Sequence, residues 1–63
     1  MWTEVYFSQN EEKVKRLVQL LDDAQIISRV RGRSDGKSKC FVVLVPRTEL
    51  DEAQSLIVES DLF

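Results

Sequence analysis

The sequence Ser34-Asp35-Gly36-Lys37 separates two runs rich in β-branched and apolar residues, residues 26–33 and residues 38–45. Asp-Gly between such runs is the strongest short-range signal for a β-hairpin, since a type I′ turn needs positive φ at both central residues. We therefore predict a tight hairpin with Asp35-Gly36 as its loop. The cross-strand pairs that follow are Arg31 with Cys40, Arg29 with Val42, and Ile27 with Leu44.

The two faces of this predicted hairpin differ in character. One face is almost wholly apolar at its centre, so we expect it to cover the helices. A register slip of one residue would exchange the faces. The apolar face comprises Ile26, Ser28, Val30, Phe41, Val43 and Val45, and the other comprises Ile27, Arg29, Arg31, Arg33, Cys40, Val42 and Leu44.

Outward from the hairpin, residues 2–7 are mostly aromatic or β-branched, which predicts a first strand. Asn10 is a favourable N-cap for a helix that follows. That helix is amphipathic, because Val14, Leu17, Val18 and Leu21 recur at helical spacing. We expect it to end near residues 22–25 and either to fray or to turn out to solvent, because two aspartates there oppose the helix dipole.

A second helix is predicted beyond Pro46, which ends the third strand because proline lacks a backbone donor. Thr48 and Asp51 resemble a capping box, so the helix should begin at Thr48. Its apolar stripe comprises Leu50, Ala53 and Ile57. Whether Leu62 and Phe63 add a short edge strand is left open by the sequence.

The order strand, helix, strand, strand, helix predicts one α+β domain over residues 1–63. It corresponds to a β-α-β-β-α ferredoxin-like unit that lacks the last strand. The right-handed crossover rule places the third strand in the middle, which gives a three-stranded antiparallel sheet of order 1-3-2. Both helices should pack on one face of the sheet and leave the opposite face uncovered.

The uncovered face is the predicted binding surface, because an exposed apolar patch on a small domain usually marks an interaction site and Trp, Tyr and Arg are enriched in hot spots. Trp2 and Tyr6 join it if Val5 and Phe7 turn inward. Alternatively, Trp2 and Tyr6 pack locally against the arginine side chains. The predicted binding residues are Trp2, Tyr6, Ile27, Arg29, Arg31, Arg33, Val42 and Leu44.

Composition excludes several chemistries within one chain. Cys40 is the only cysteine and histidine is absent, so we expect no intramolecular disulfide, no zinc site and no cofactor. The N-terminal residues lack a secretory signal pattern, and the longest apolar run is far short of the roughly 20 residues of a membrane span. We therefore expect a cytoplasmic protein that spans no membrane.

Catalytic motifs are weak in this sequence. Cys40 is a candidate nucleophile only if a nearby guanidinium lowers its pKa. Residues 32–38 contain Gly-x-x-x-Gly-Lys-Ser, which has three residues between its glycines where the phosphate-binding loop has four, and which joins two strands rather than a strand and a helix. We predict that the protein is not an enzyme.

Charge is distributed unevenly along the chain. Residues 26–47 hold six basic side chains and one acidic one, a net charge of +5, which leaves −7 elsewhere. Arginines on an exposed strand also aid solubility and discourage edge pairing. Aromatic residues and arginines on one sheet face could instead bind single-stranded RNA or an anionic ligand. An acidic total charge and the absence of an RNP-type aromatic pattern on the central strand argue against RNA.

The chain resembles a family of small prokaryotic domains named as signal-transducing proteins, for which no function is established. The matching segments are residues 7–12, 17–21, 26–27, 43–46 and 50–53, and the chain departs from the family at residues 23–25, where a glycine is common. The resemblance implies the same fold, a bacterial cytoplasmic origin, and no catalytic residue to transfer. Together with the open face, it predicts a non-enzymatic interaction or regulatory domain that forms a homodimer or binds a protein partner through this face or an edge strand.

Overall fold

The fold is an α+β domain of three antiparallel strands and two helices. The computed structural model describes residues 1–60, apart from the side chain of Asp35. Leu62 and Phe63, for which the sequence leaves an extra edge strand open, lie outside the described residues. The elements are β1 (Trp2–Ser8), α1 (Glu11–Asp23), β2 (Arg29–Asp35), β3 (Ser38–Pro46), a 3-10 turn (Arg47–Glu49) and α2 (Leu50–Ser60). The strand order β1-β3-β2 confirms the predicted topology.

The start of α1 is set by Asn10, as predicted. Its side-chain oxygen accepts hydrogen bonds from the backbone N–H groups of Glu12 at 3.0 Å and Lys13 at 3.4 Å. These bonds satisfy donors that have no partner within the helix. Two glutamates in the first turn add a favourable interaction with the helix dipole.

α1 ends at Asp23, within the predicted range, and its end is closed by hydrogen bonds rather than frayed. The backbone N–H of Ile26 donates to the carbonyl of Leu21 at 2.8 Å, and that of Gln25 donates to Asp22 at 2.9 Å. Gln25 has a φ of 62°, in the left-handed region. These features define a Schellman motif, and the two residues that usually make its apolar contact, Leu21 and Ile26, both belong to the buried core cluster.

Gln25 occupies a position that glycine favours, so Gln25→Gly is expected to stabilise the domain by about 0.5–1 kcal/mol, because the left-handed conformation costs a residue with a Cβ roughly 1–2 kcal/mol. The matched control is Gln54→Gly within α2, where glycine should destabilise by about 1 kcal/mol. Urea denaturation of both variants checks the two signs. A Gln25→Gly variant that loses stability would contradict this account of the helix end.

The hairpin forms with a register two residues away from the predicted one. Its loop is Gly36-Lys37, and Arg33 pairs with Cys40 where Arg31 was expected. Gly36 has a φ of 63°, and glycine at the first loop position is the requirement of a type II′ turn. Only one left-handed residue is then needed, whereas the predicted type I′ loop would also have placed Asp35 in that conformation. A shift of two residues preserves side-chain direction, so the two predicted faces are retained.

A β-bulge in β1 changes which side chains share a face. The pairing with β3 runs from Glu4 opposite Leu44 directly to Tyr6 opposite Val43, which leaves Val5 as an extra residue. The alternation of side chains is therefore reversed after Val5. Tyr6 lies on the helix side against the core, and Phe7 on the other side.

The core lies between the helices and the sheet. Its buried members are Val14, Leu17, Leu21, Ile26, Val43, Val45 and Ala53. The helices contact β1 and β3 most extensively, whereas β2 lies at the margin of their cover. Val30 of β2 accordingly remains 45% exposed although it is on the helix side. α2 begins at Leu50, two residues later than predicted, because Arg47–Glu49 form a 3-10 turn.

Candidate interaction surface

The sheet surface opposite the helices is named the open face. Side chains that pair across antiparallel strands share a face, which assigns its members from the observed register. The open face comprises Trp2, Glu4 and Phe7 of β1, Cys40, Val42, Leu44 and Pro46 of β3, and Arg29, Arg31 and Arg33 of β2.

The open face is organised in rows that run across the three strands. In one row Leu44 stands between Glu4 and Arg29, and in the next Val42 stands between Phe7 and Arg31. Outer strands are separated by two strand spacings, or about 10 Å. Each row therefore has an acidic or aromatic group at one edge, an aliphatic group in the middle and a cation at the other edge.

β3 is apolar on both of its faces. Residues 41–45 are Phe-Val-Val-Leu-Val, a continuous run of the kind found in strands that are buried on both sides. Val42 and Leu44 are only 4% and 9% exposed, although neither α1 nor α2 covers the open face. Side chains from the flanking strands shield them within the monomer. Phe7, in contrast, remains 63% exposed beside Val42.

Trp2 and Arg29 meet across the open face. The guanidinium carbon of Arg29 lies 4.4 Å from the centre of the Trp2 ring, within the range of a cation–π interaction. Local packing of Trp2 against an arginine is therefore the arrangement found. Within the described part of the chain, no guanidinium of Arg29, Arg31 or Arg33 is paired with a carboxylate.

The residues predicted for binding do not all lie together. Trp2, the three arginines of β2, Val42 and Leu44 share the open face, but Tyr6 is on the helix side because of the bulge. Ile27 precedes β2 and is 69% exposed outside the ladder, since the two-residue shift removes it from the sheet. Phe7 and Glu4 were missed. Simple alternation of side chains along β1 places Glu4 on the same face as Trp2. No residue pattern in residues 2–8 predicts the bulge that exposes Phe7.

Other chemistry is sparsely represented. Cys40 is half-buried and faces Arg33 rather than Arg31. Among residues 1–60 no group of three or more cysteine or acidic side chains is arranged to hold a metal ion. None of the helices in that range is long and apolar enough to cross a membrane.

Fold and surface together define a small β-α-β-β-α domain with an open, mixed apolar and basic sheet face. No family model, curated protein or solved structure matches the chain. The resemblance to prokaryotic signal-transducing domains therefore remains a prediction.

Proposed function

We propose that the chain is a non-enzymatic, cytoplasmic interaction domain that self-associates through the open face. The observation that carries this proposal is the ring of Phe7, which is exposed on the open face beside a central strand that is apolar on both sides. This ring provides apolar area that a partner would bury.

The order of groups in the rows makes the open face self-complementary. A two-fold axis that runs parallel to β3, midway between two stacked sheets, places β1 of one copy over β2 of the other. Positions along the strands stay level, so Glu4 meets Arg29 of the second copy and Phe7 meets Arg31 of the second copy. Symmetry repeats each contact, which is the usual arrangement of a homodimer. Like charges are kept apart in this arrangement.

Pairing through the edge of β1 is the less favoured route. An edge strand recruits a second strand best when its ladder is regular, and the bulge at Val5 interrupts that ladder. The central strand of the open face has no comparable interruption, because β3 runs unbroken from Ser38 to Pro46.

Sedimentation velocity over a range of concentrations tests self-association. The unmodified chain is expected to shift from monomer to dimer. Phe7→Lys should weaken the dimer by at least about tenfold, because it removes an exposed aromatic group and places a cation over Arg31 of the second copy. Val58→Lys is the matched control, since Val58 is 78% exposed on α2. A chain that stays monomeric at millimolar concentration, or a dimer that both variants weaken equally, would overturn the proposal.

Binding of single-stranded RNA or an anionic ligand is the second candidate. It rests on three arginines at alternate positions of β2, none of which is paired with a carboxylate of the described residues. The structure gives it less support than self-association. Tyr6 is absent from the open face, and the central strand presents Val42 and Leu44 where stacking rings are needed. Titration with oligouridylate at low salt should leave the amide resonances of Arg29, Arg31 and Arg33 unmoved. Saturable shifts at these amides would favour the second candidate.

A further inference from the structure

A second surface lies on the other side of β2, in a groove between this strand and α1. Val14, Val18, Val30 and Phe41 line its apolar part, and Glu11, Lys15 and Gln19 form its rim. The volume of this part is about 310 Å³. A further cavity beside Gly32, Ser34 and Lys39 shares Glu11 and Phe41 with it, so the groove continues along β2 toward the hairpin loop.

The free edge of β2 borders this groove along its length. Among residues 1–60, β2 pairs only with β3, so no strand from that range lies on its other side. Asp35 and Ser38 flank a two-residue loop and form a hydrogen-bonded pair, and such pairs alternate along an antiparallel ladder. The backbone N–H and C=O groups of Val30, Gly32 and Ser34 therefore point away from β3. They present donors and acceptors to an added strand.

Charge at this edge selects the kind of strand that would fit. The side chains of Arg29, Arg31 and Arg33 project on the open-face side of the sheet. Along β2 these arginines alternate with the three residues whose backbone groups point away from β3. Two β2 edges would bring like charges together, so a second copy is disfavoured here. A strand with acidic residues at alternate positions would instead meet the three guanidinium groups, while its intervening side chains would lie beside Val30 and Phe41.

We propose that β2 binds an extended segment of a partner protein in which acidic and aliphatic residues alternate. The segment adds a fourth strand at the β2 edge. Its aliphatic side chains fill the groove against α1 and its carboxylates pair with the arginines, a mode of recognition known as β-augmentation. The strand edge and the groove of this site lie outside the open face, whereas Arg29 and Arg31 also belong to the open face, so peptide binding and self-association would compete for these two side chains.

Nuclear magnetic resonance with a synthetic peptide tests the site. The probe is an acetylated peptide of alternating glutamate and valine, and the control peptide replaces glutamate by lysine. Titration with the glutamate peptide should shift and protect from exchange the amides of Val30, Gly32 and Ser34. The lysine peptide should bind at least about tenfold more weakly, because it meets the arginines with like charge.

A pair of variants at Gly32 isolates the backbone contribution. Gly32→Pro removes an outward N–H, a change that edge strands tolerate, and should weaken binding by about tenfold. Gly32→Ala keeps the N–H, and a Cβ there meets no atom within 4 Å, so it should bind as the unmodified chain does. Equal affinity of the two variants, peptide-induced shifts confined to β1 or the open face, or no shift at millimolar peptide would overturn the proposal.

Discussion

Replacing Leu21 by alanine is expected to lower the free energy of unfolding by about 3 kcal/mol, because a fully buried leucine loses its transfer free energy and leaves a cavity. Leu21 also makes the contact with Ile26 that closes α1. A domain of this length has a free energy of unfolding of roughly 3 to 9 kcal/mol, so this loss would remove between about a third and all of its stability.

Leu20→Ala is the matched control for this prediction, since the neighbouring leucine is only half-buried against the core. Its expected cost is about 1 kcal/mol. Urea denaturation followed by circular dichroism and by Trp2 fluorescence measures both. Equal losses at Leu20 and Leu21 would contradict the position of the core described above.

Reversing either charge of the proposed pair between subunits is expected to weaken the dimer by about tenfold or more. Glu4→Arg would place an arginine over Arg29 of the second copy, and Arg29→Glu would place a glutamate over Glu4. The double variant carries both charges exchanged and should recover most of the lost affinity. Recovery of dimer affinity in the double variant would show a direct pairing of the two charges, because destabilisation of the monomer by the two substitutions would add rather than cancel.

Glu59→Arg provides the control for a change of net charge, because Glu59 is exposed on α2, on the opposite side of the molecule from the open face. Sedimentation equilibrium at two salt concentrations gives the dimer dissociation constant of each variant. A double variant that does not recover affinity would contradict the pairing of Glu4 with Arg29 in the proposed dimer.

The fold could be predicted from sequence because its signals are local and agree with one another. Asn10 caps α1, the apolar stripe of α1 has a clear helical period, and a glycine-containing turn lies between two strand-forming runs. Right-handed crossover then leaves one strand order. The two faces of the hairpin were predicted correctly although the register was wrong, because the register differs by two residues and an even shift keeps each side chain on its face.

The parts that sequence reasoning missed depend on contacts between elements. The bulge at Val5 has no signature of its own, yet it moves Tyr6 to the core and exposes Phe7. The left-handed conformation of Gln25 is imposed by the hydrogen bonds that close α1 onto Ile26. Glutamine has no preference for this conformation, so the sequence does not predict it. The groove beside β2 exists because the helices pack over β1 and β3, which no periodicity in the chain predicts.

The most direct test of the central claim is an isotope-filtered nuclear Overhauser experiment on a mixed sample. One half of the protein carries ¹³C and ¹⁵N, and the other half is unlabelled. The self-association described here predicts contacts between subunits from the Phe7 ring to the Arg31 side chain, which lie on opposite edges of the sheet in one copy. Contacts between subunits that involve only α2 or the edge of β1, with none from Phe7, would contradict it.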